Sequence, residues 1–115
     1  MNTLVLVPNV PTRYDHLLQQ RVPSIDVGKA ANFGEIKLLS PYDPAGGVGN
    51  IEAAIDDVCI AIQNLPGNIR PIIVMAGDPV LISVAVAKAL RYFDKVDVLR
   101  WNRNNNDYEQ LEIQL

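Results

Sequence analysis

The sequence predicts a single α/β domain built on a small, mostly parallel sheet. Three observations support this fold class. Strand-like and helix-like segments alternate along the chain, as in α/β proteins. Several short apolar segments, rich in β-branched residues, end at turns that contain proline or glycine. With 115 residues, 49% hydrophobic and 20% charged, the chain has the size and composition of one folded domain. We therefore expect one Rossmann-like domain over residues 1–115, with about five strands and helices on both faces of the sheet.

The first part of the chain contains two predicted strands and one ambiguous region. Thr3–Val7 is a short apolar run closed by Pro8, which is typical of a buried strand. The segment 14–20 lies between two prolines and is compatible with a short helix, and 25–33 with a loop or a helical turn. Glu35–Leu39 is the second predicted strand.

A glycine- and proline-rich loop over 41–49 precedes the first long helix. Asn50 is a plausible N-cap, and Pro66-Gly67 ends the helix. The apolar residues of this segment follow the 3, 4, 3, 4 spacing of one helical face: Ile51, Ile55, Val58, Ile62 and Leu65.

The second half is the most regular part of the sequence. Pro71–Ala76 is apolar at every position, which favours a central parallel strand covered on both faces. Asp78 is an N-cap candidate for a helix over Pro79–Tyr92. Val96–Trp101 is a further core strand, and the alternation of Tyr108–Leu115 predicts an antiparallel partner joined to it by a short turn.

Charge and composition exclude several classes of protein. The net charge is −3, the sequence pI is about 4.9, and the chain contains no run of Lys or Arg. These features argue against a long nucleic acid as partner. A single cysteine (Cys59) and a single histidine (His16) exclude an intramolecular disulfide and a His/Cys metal cluster. The N-terminal apolar run is too short for a signal peptide or a membrane span, so we expect a cytoplasmic protein without a membrane partner.

The helix 79–92 predicts a homodimer. It is apolar almost all round, and only Ser83, Lys88 and Arg91 interrupt it. One face is expected to pack on the sheet. The other would leave an apolar surface uncovered unless a second copy packs against it.

Ligands of open parallel sheets bind beyond the carboxyl ends of the strands. Here that rule selects the loops 8–13, 41–49 and 77–79. Gly77 lets the backbone approach a ligand closely, and the following helix N-terminus attracts anions. Asp78 would contact a hydroxyl group or act as a base, and Ser83 lies one turn further on. The alternative for this turn is a purely structural, capped connection.

The other two loops offer a cation and a glycine-rich segment. Arg13 is the best-placed cation for an anionic ligand after the first strand, beside Asn9 and Thr12. Gly46 and Gly47 match neither a P-loop nor a dinucleotide fingerprint, so they form either a lid or a plain connector. His16 is either a surface residue or a catalytic one. Cys59 is interpreted as a packing residue, and Trp101 with Tyr108 as a cross-strand pair rather than a base-stacking platform.

Three segments carry a family resemblance: the opening strand Thr3–Asn9, the turn Ala76–Pro79, and the ending Val98–Trp101 with Tyr108–Gln114. The chain resembles the CRISPR-associated Rossmann-fold (CARF) domains, especially the small stand-alone ring nucleases of type III CRISPR systems. The resemblance implies a homodimer that binds a cyclic oligoadenylate in antiviral defence.

The resemblance also implies a mechanism without metal or other cofactor. A ribose 2′-hydroxyl would attack the adjacent phosphate, with Arg13 and Asn9 as the catalytic residues. The remaining ligand-binding residues would be Pro8, Thr12, Gly46, Gly47, Gly77, Asp78, Pro79 and Ser83. Two alternatives stay open, namely a non-catalytic nucleotide sensor or sponge, and a protein–protein interaction module without a small ligand.

Overall fold

The computed structural model of the chain describes residues 3–10, 12–23, 27–39, 47–64, 67 and 69–114. In chain order the elements are β1 (Thr3–Val7), β2 (Thr12–Asp15), β3 (Gln20–Pro23), a 3-10 helix (Val27–Phe33), β4 (Glu35–Leu38), α1 (Gly47–Gln63), β5 (Arg70–Val74), α2 (Pro79–Tyr92), β6 (Lys95–Asn102) and β7 (Asp107–Gln114). No helix within these ranges is long and apolar enough to cross a membrane.

Five strands form one sheet in the order β4-β1-β5-β6-β7. The first four are parallel, and β7 pairs antiparallel with β6 through eight consecutive residue pairs. This arrangement confirms the predicted mostly parallel sheet of about five strands with an antiparallel hairpin strand at one edge. It is compatible with a Rossmann-like fold.

The strand order places the two long helices on the same face of the sheet. The chain moves from β1 to β4 in one direction, and from β4 to β5 and then β6 in the other. Because parallel crossovers are right-handed, reversing the direction sends the connection to the opposite face. α1 and α2 accordingly pack together on one face, and the 3-10 helix lies against the other. The sheet therefore has helical cover on both faces, but both α-helices lie on one of them and the other is covered only by the short 3-10 helix.

Each strand of the central pair contributes to two separate cores. Leu6 of β1 and Ile73 of β5 point toward the α-helices, whereas Val5 and Ile72 point toward the 3-10 helix. All four are buried. Alternating side chains point to opposite faces of a strand, so a strand that is apolar at every position needs cover on both sides.

The segment 14–20, whose sequence is compatible with a short helix, belongs to a β-hairpin instead. β2 and β3 form an antiparallel hairpin in which Thr12 pairs with Pro23 and Asp15 with Gln20. The Asp15 carboxylate accepts the backbone N–H groups of Leu17 (2.9 Å) and Leu18 (3.1 Å). This local capture of two amides by an Asp side chain stabilises a turn and competes with helix formation.

α1 begins earlier than predicted. It starts at Gly47, so the assignment of Asn50 as N-cap is wrong. The predicted buried face is confirmed for Ile51, Ile55, Val58 and Ile62, while Leu65 lies outside the described residues. Cys59 is fully buried beside this face, as expected for a packing residue.

α2 has the predicted bounds and the predicted cap. Leu81, Ala85 and Ala89 are buried, and several larger apolar side chains are partly covered by the core on the same face. Its exposed stripe consists of Val80, Ser83, Ala87 and Arg91. This outer surface is smaller and less apolar than the sequence suggested, and dimerisation through 79–92 remains a prediction.

Candidate functional site

The carboxyl ends of β1 and β5 form the switch point of the sheet. These two strands are neighbours, and the chain leaves them toward opposite faces. This is the place where open parallel sheets leave a crevice for a ligand. The structure brings six predicted site residues to this point: Pro8, Asn9, Gly77, Asp78, Pro79 and Ser83.

Asn9 ties the two loops together. Its side chain is buried, and its Oδ1 accepts the backbone N–H of Asp78 at 3.0 Å. Gly77 has φ +94°, and a Cβ there would clash with the Asn9 side chain and lie 2.8 Å from the Asn9 backbone oxygen. From the sequence we expected a ligand to approach the backbone of Gly77 closely, but in the structure Asn9 fills this space. Sequence reasoning missed this contact because it joins positions 69 residues apart.

The backbone N–H groups at the N-terminus of α2 are also bonded within the chain. Asp78 Oδ1 accepts the Val80 N–H at 2.8 Å, and the Asp78 carbonyl accepts the Ile82 N–H at 3.1 Å. Ser83 donates its hydroxyl to the Pro79 carbonyl at 2.8 Å. A carboxylate therefore takes the place where a phosphate would bind the helix amides. The structure favours the capped-turn interpretation of this segment.

The remaining predicted site residues lie elsewhere. Thr12 and Arg13 are on strand β2, where Thr12 Oγ1 accepts from Arg21 Nε at 2.8 Å. The Arg13 side chain is 62% exposed and lies 3.9 Å from the Asp15 carboxylate, within its own hairpin. Gly47 is the first residue of α1, and Gly46 lies outside the described residues. Within the part of the chain that the structure describes, no hydrogen bond or ion pair joins Arg13 to Asn9.

The turn of the β2–β3 hairpin presents large side chains to solvent. Leu17 is 95% exposed and Leu18 is 60% exposed, and Tyr14 is about half exposed. The Tyr14 and His16 rings meet edge to face with centroids 5.0 Å apart. We call these four residues the hairpin tip. A signal for it was present in the sequence, since Asp15 precedes two adjacent leucines, but the flanking residues did not distinguish a turn from a helix.

Away from the switch point, a polar cluster centred on Asp56 joins α1 to α2. Asp56 accepts hydrogen bonds from Tyr92 Oη (2.8 Å) and Lys88 Nζ (3.1 Å). These two bonds lower the pKa of Asp56, and the bond to Asp56 raises the pKa of Tyr92. Burial, with a smaller effect of the Asp56 charge, raises the pKa of the Cys59 thiol to about 11. A thiol with this pKa is protonated at neutral pH and is a poor nucleophile.

Another polar cluster lies on the sheet itself. The buried Asp97 carboxylate accepts from Arg70 Nη2 (3.1 Å) and from Gln110 Nε2 (2.8 Å). Arg70 and Lys95 also lie 3.7 and 3.8 Å from the Glu112 carboxylate. Both Asp97 oxygens are thus bonded within the sheet, which indicates a structural role.

The aromatic pair at the end of the sheet is a cross-strand pair, as predicted. Trp101 pairs with Tyr108 across β6 and β7, with ring centroids 5.0 Å apart and an angle of 78°. Among the residues that the structure describes, no group of three or more His, Cys, Asp or Glu side chains is placed to hold a metal ion.

Fold and site together define a small α/β protein with a mostly parallel sheet whose switch point is closed by its own side chains. The chain belongs to the family of phage Pam3 gp32-like proteins, whose family model matches residues 3–115. This match corrects the resemblance drawn from the sequence. The family is a phage protein family, so the assignments to CARF domains, CRISPR systems, antiviral defence and ring nucleases are wrong. Searches of curated proteins and of solved structures found no match.

Proposed function

We propose that this protein is a non-catalytic interaction module that binds another protein through its hairpin tip. The observation that carries the proposal is the exposure of Leu17 and Leu18 on a turn that Asp15 holds in place. Large apolar side chains grouped at the end of a projecting element are typical of a binding surface. Because the turn is already ordered, binding would cost little conformational entropy.

Two further observations support this function over nucleotide binding. At the switch point, Asn9 and the Asp78 carboxylate occupy the donors that a phosphate or ribose would use. Arg13, the cation assigned to that ligand, lies on the hairpin instead.

The hairpin also indicates the chemistry of the partner surface. Arg13 and Arg21 flank the hairpin tip, and Asp15 already bonds the turn amides. The complementary surface is therefore an apolar depression with carboxylates at its rim. Because the family is a phage family, we infer that this surface belongs to another protein encoded by the same phage.

The test replaces the two leucines and compares the result with replacement of an exposed apolar residue elsewhere. The proteins encoded by the phage would be produced individually and screened by biolayer interferometry against the wild type, L17S/L18S and I60S. Ile60 is half exposed on α1, so I60S is the matched control. We expect L17S/L18S to weaken binding by about 100-fold, as for the loss of a buried pair of anchors, and I60S to leave it unchanged.

Two results would overturn the proposal. One is a partner that binds L17S/L18S as tightly as the wild type. The other is the absence of any partner in the screen together with no crosslinking, during phage growth, from a photoreactive residue at position 17 above that from position 60. A melting-temperature increase with cyclic tetra- or hexa-adenylate would instead favour the nucleotide sensor.

A further inference from the structure

We propose that two copies of the chain associate through the outer edge of β7. The two β7 strands would run antiparallel, and the five strands of each copy would form one continuous sheet. This inference goes beyond the proposed function, because it concerns a surface at the other end of the sheet from β4 and outside the hairpin tip. Within the described residues β7 pairs only with β6, and it ends the strand order.

The β7 edge lacks the features that usually prevent edge-to-edge pairing. Natural edge strands are commonly short, interrupted by bulges or proline, or marked by lysine. β7 is eight residues long, pairs with β6 without a bulge, and contains no Pro, Gly or Lys. It is an accessible template for another strand.

Two of the three acidic residues of β7 are neutralised from within the same chain. Glu109 is bound by Arg100, whose Nε lies 2.6 Å away. Glu112 lies 3.7 Å from Arg70 and 3.8 Å from Lys95. Repulsion between the carboxylates of two approaching edges is therefore reduced, although the strand itself carries only acidic charges.

The sequence of β7 selects one register for self-pairing. In two β7 strands related by a two-fold axis perpendicular to the sheet, directly opposed residues point to the same face. One residue must therefore lie opposite the same residue of the partner strand, and that residue defines the register. An axis at Glu109 or Glu112 would set like charges opposite each other, and an axis at Gln110 would set Leu111 against a glutamate. An axis at Leu111 places it against the partner's Leu111 and Gln110 against the partner's Glu112. This register sets one apolar residue, Ile113, against an acidic one, whereas the Gln110 register does so for both Leu111 and Ile113. An axis at Ile113 would oppose only the last three residues of β7, whereas the Leu111 register opposes seven.

The Leu111 register also covers exposed apolar surface. Leu111 is 39% exposed and lies opposite Val98, on the sheet face that carries α1 and α2. Its neighbour on that face, Ile113, already packs against the helix-side core. Pairing would extend this core across the two-fold axis.

The first test measures oligomeric state by sedimentation velocity over a range of concentrations. We expect a wild-type dimer, and we expect Leu111→Lys to raise its dissociation constant at least about tenfold by opposing two lysines. Leu17→Lys is the matched control and should leave the dimer unchanged. Circular dichroism of each variant verifies that the fold is retained.

The second test determines the register without relying on a destabilising change. Opposed Cβ atoms lie about 4.5–5.5 Å apart, so Leu111→Cys should form an intermolecular disulfide on mild oxidation. Gln114→Cys is the control, because the offset of six residues would place the two thiols about 20 Å apart. The buried Cys59 is retained in both variants.

Three results would overturn this inference. They are a wild type that stays monomeric at several hundred micromolar, equal disulfide yields at positions 111 and 114, and a dimer that resists Leu111→Lys but dissociates with Ala87→Arg. The last result would assign the interface to α2. None of them bears on partner binding by the hairpin tip, so the two proposals can fail separately.

Discussion

At the scale of single residues, Gly77 and Asn9 form a close contact between distant parts of the chain. Gly77 adopts a φ of +94°, a conformation that side chains other than glycine rarely take. It also lies directly against the Asn9 side chain and backbone. Steric space and backbone conformation therefore both require glycine at this position.

We predict that Gly77→Ala destabilises the protein by about 2–4 kcal/mol, since backbone strain and a clash add together. Gly67→Ala is the control. Gly67 has the same φ of +94°, but a Cβ there would meet no atom within 4 Å. It should cost only about 1 kcal/mol of strain. Urea unfolding of both variants measures the difference, and equal losses would show that the Asn9 contact contributes nothing.

The contact between Gly77 and Asn9 could not be predicted from the residues around either position. A glycine before an Asp-Pro helix start indicates a tight turn, and this was correct for Asp78 and Pro79. Nothing in the local sequence indicates that the space beside Gly77 is filled by an asparagine 68 positions earlier. The same residue types would suit a ligand site equally well.

At the scale of elements, the hydrogen bonds of Asp56 connect α1 to α2. Both carboxylate oxygens are used, one by Tyr92 and one by Lys88, and these bonds favour the ionised form. The folded-state pKa of Asp56 is therefore below its unfolded value. Its contribution to the free energy of unfolding is present above the unfolded pKa and is lost as the pH falls through the folded pKa.

We expect Asp56→Asn to lower the urea midpoint at pH 7 and to have a progressively smaller effect as the pH is lowered, because protonation of the wild-type carboxyl removes the same charge that the substitution removes. The control is Asp57→Asn, an exposed neighbour on the same helix. Its effect on the midpoint should be small at pH 7 and at low pH. A loss for Asp56→Asn that is the same at pH 7 and at low pH would contradict the ionic role of the carboxylate.

Elements with a clear period were predictable, and those defined by one side-chain contact were not. The spacing of Ile51, Ile55, Val58 and Ile62 indicates the buried face of α1 directly. The hairpin depends on the Asp15 carboxylate capturing two amides and on Gln19 adopting φ +53°. Neither feature produces a period, so the segment was compatible with a helix.

At the scale of the whole molecule, the β2–β3 hairpin is separate from the five-stranded sheet. Its two strands form a sheet of their own, and its side-chain bonds, such as Arg21 to Thr12, stay within it. The two hydrophobic cores contain no residue of β2 or β3 among those described. The hairpin is an appendage that the main fold supports.

We predict that replacing residues 13–22 by a short Gly/Ser linker leaves a cooperatively unfolding protein. Because few core contacts are removed, its melting temperature should fall by less than about 5 °C. Calorimetry measures this, and Gly77→Ala provides the comparison for a change that does reach the main fold. Loss of the cooperative transition would show that the hairpin is part of the core.

The family assignment shows where fold-based inference ends. The mostly parallel sheet, its antiparallel edge strand and the start of α2 follow from local patterns and general rules of topology. Function does not, because one α/β architecture serves many unrelated activities. The resemblance to CARF domains was based on the layout of elements, and layout is shared far more widely than any one ligand site.

The contact of the 3-10 helix with the sheet has an optical consequence. Trp101 is the only tryptophan of the chain, and it lies beneath Lys29, whose Nζ is 5.5 Å from its ring, and beside Tyr108. Lys29 belongs to the 3-10 helix and also donates to the Asn106 carbonyl in the β6–β7 turn at 2.8 Å. The tryptophan emission of this protein therefore reports on the contact between the 3-10 helix and the last two strands. A shift in the emission wavelength without a change in the helical circular-dichroism signal would indicate that this contact opens while α1 and α2, on the other face of the sheet, stay folded.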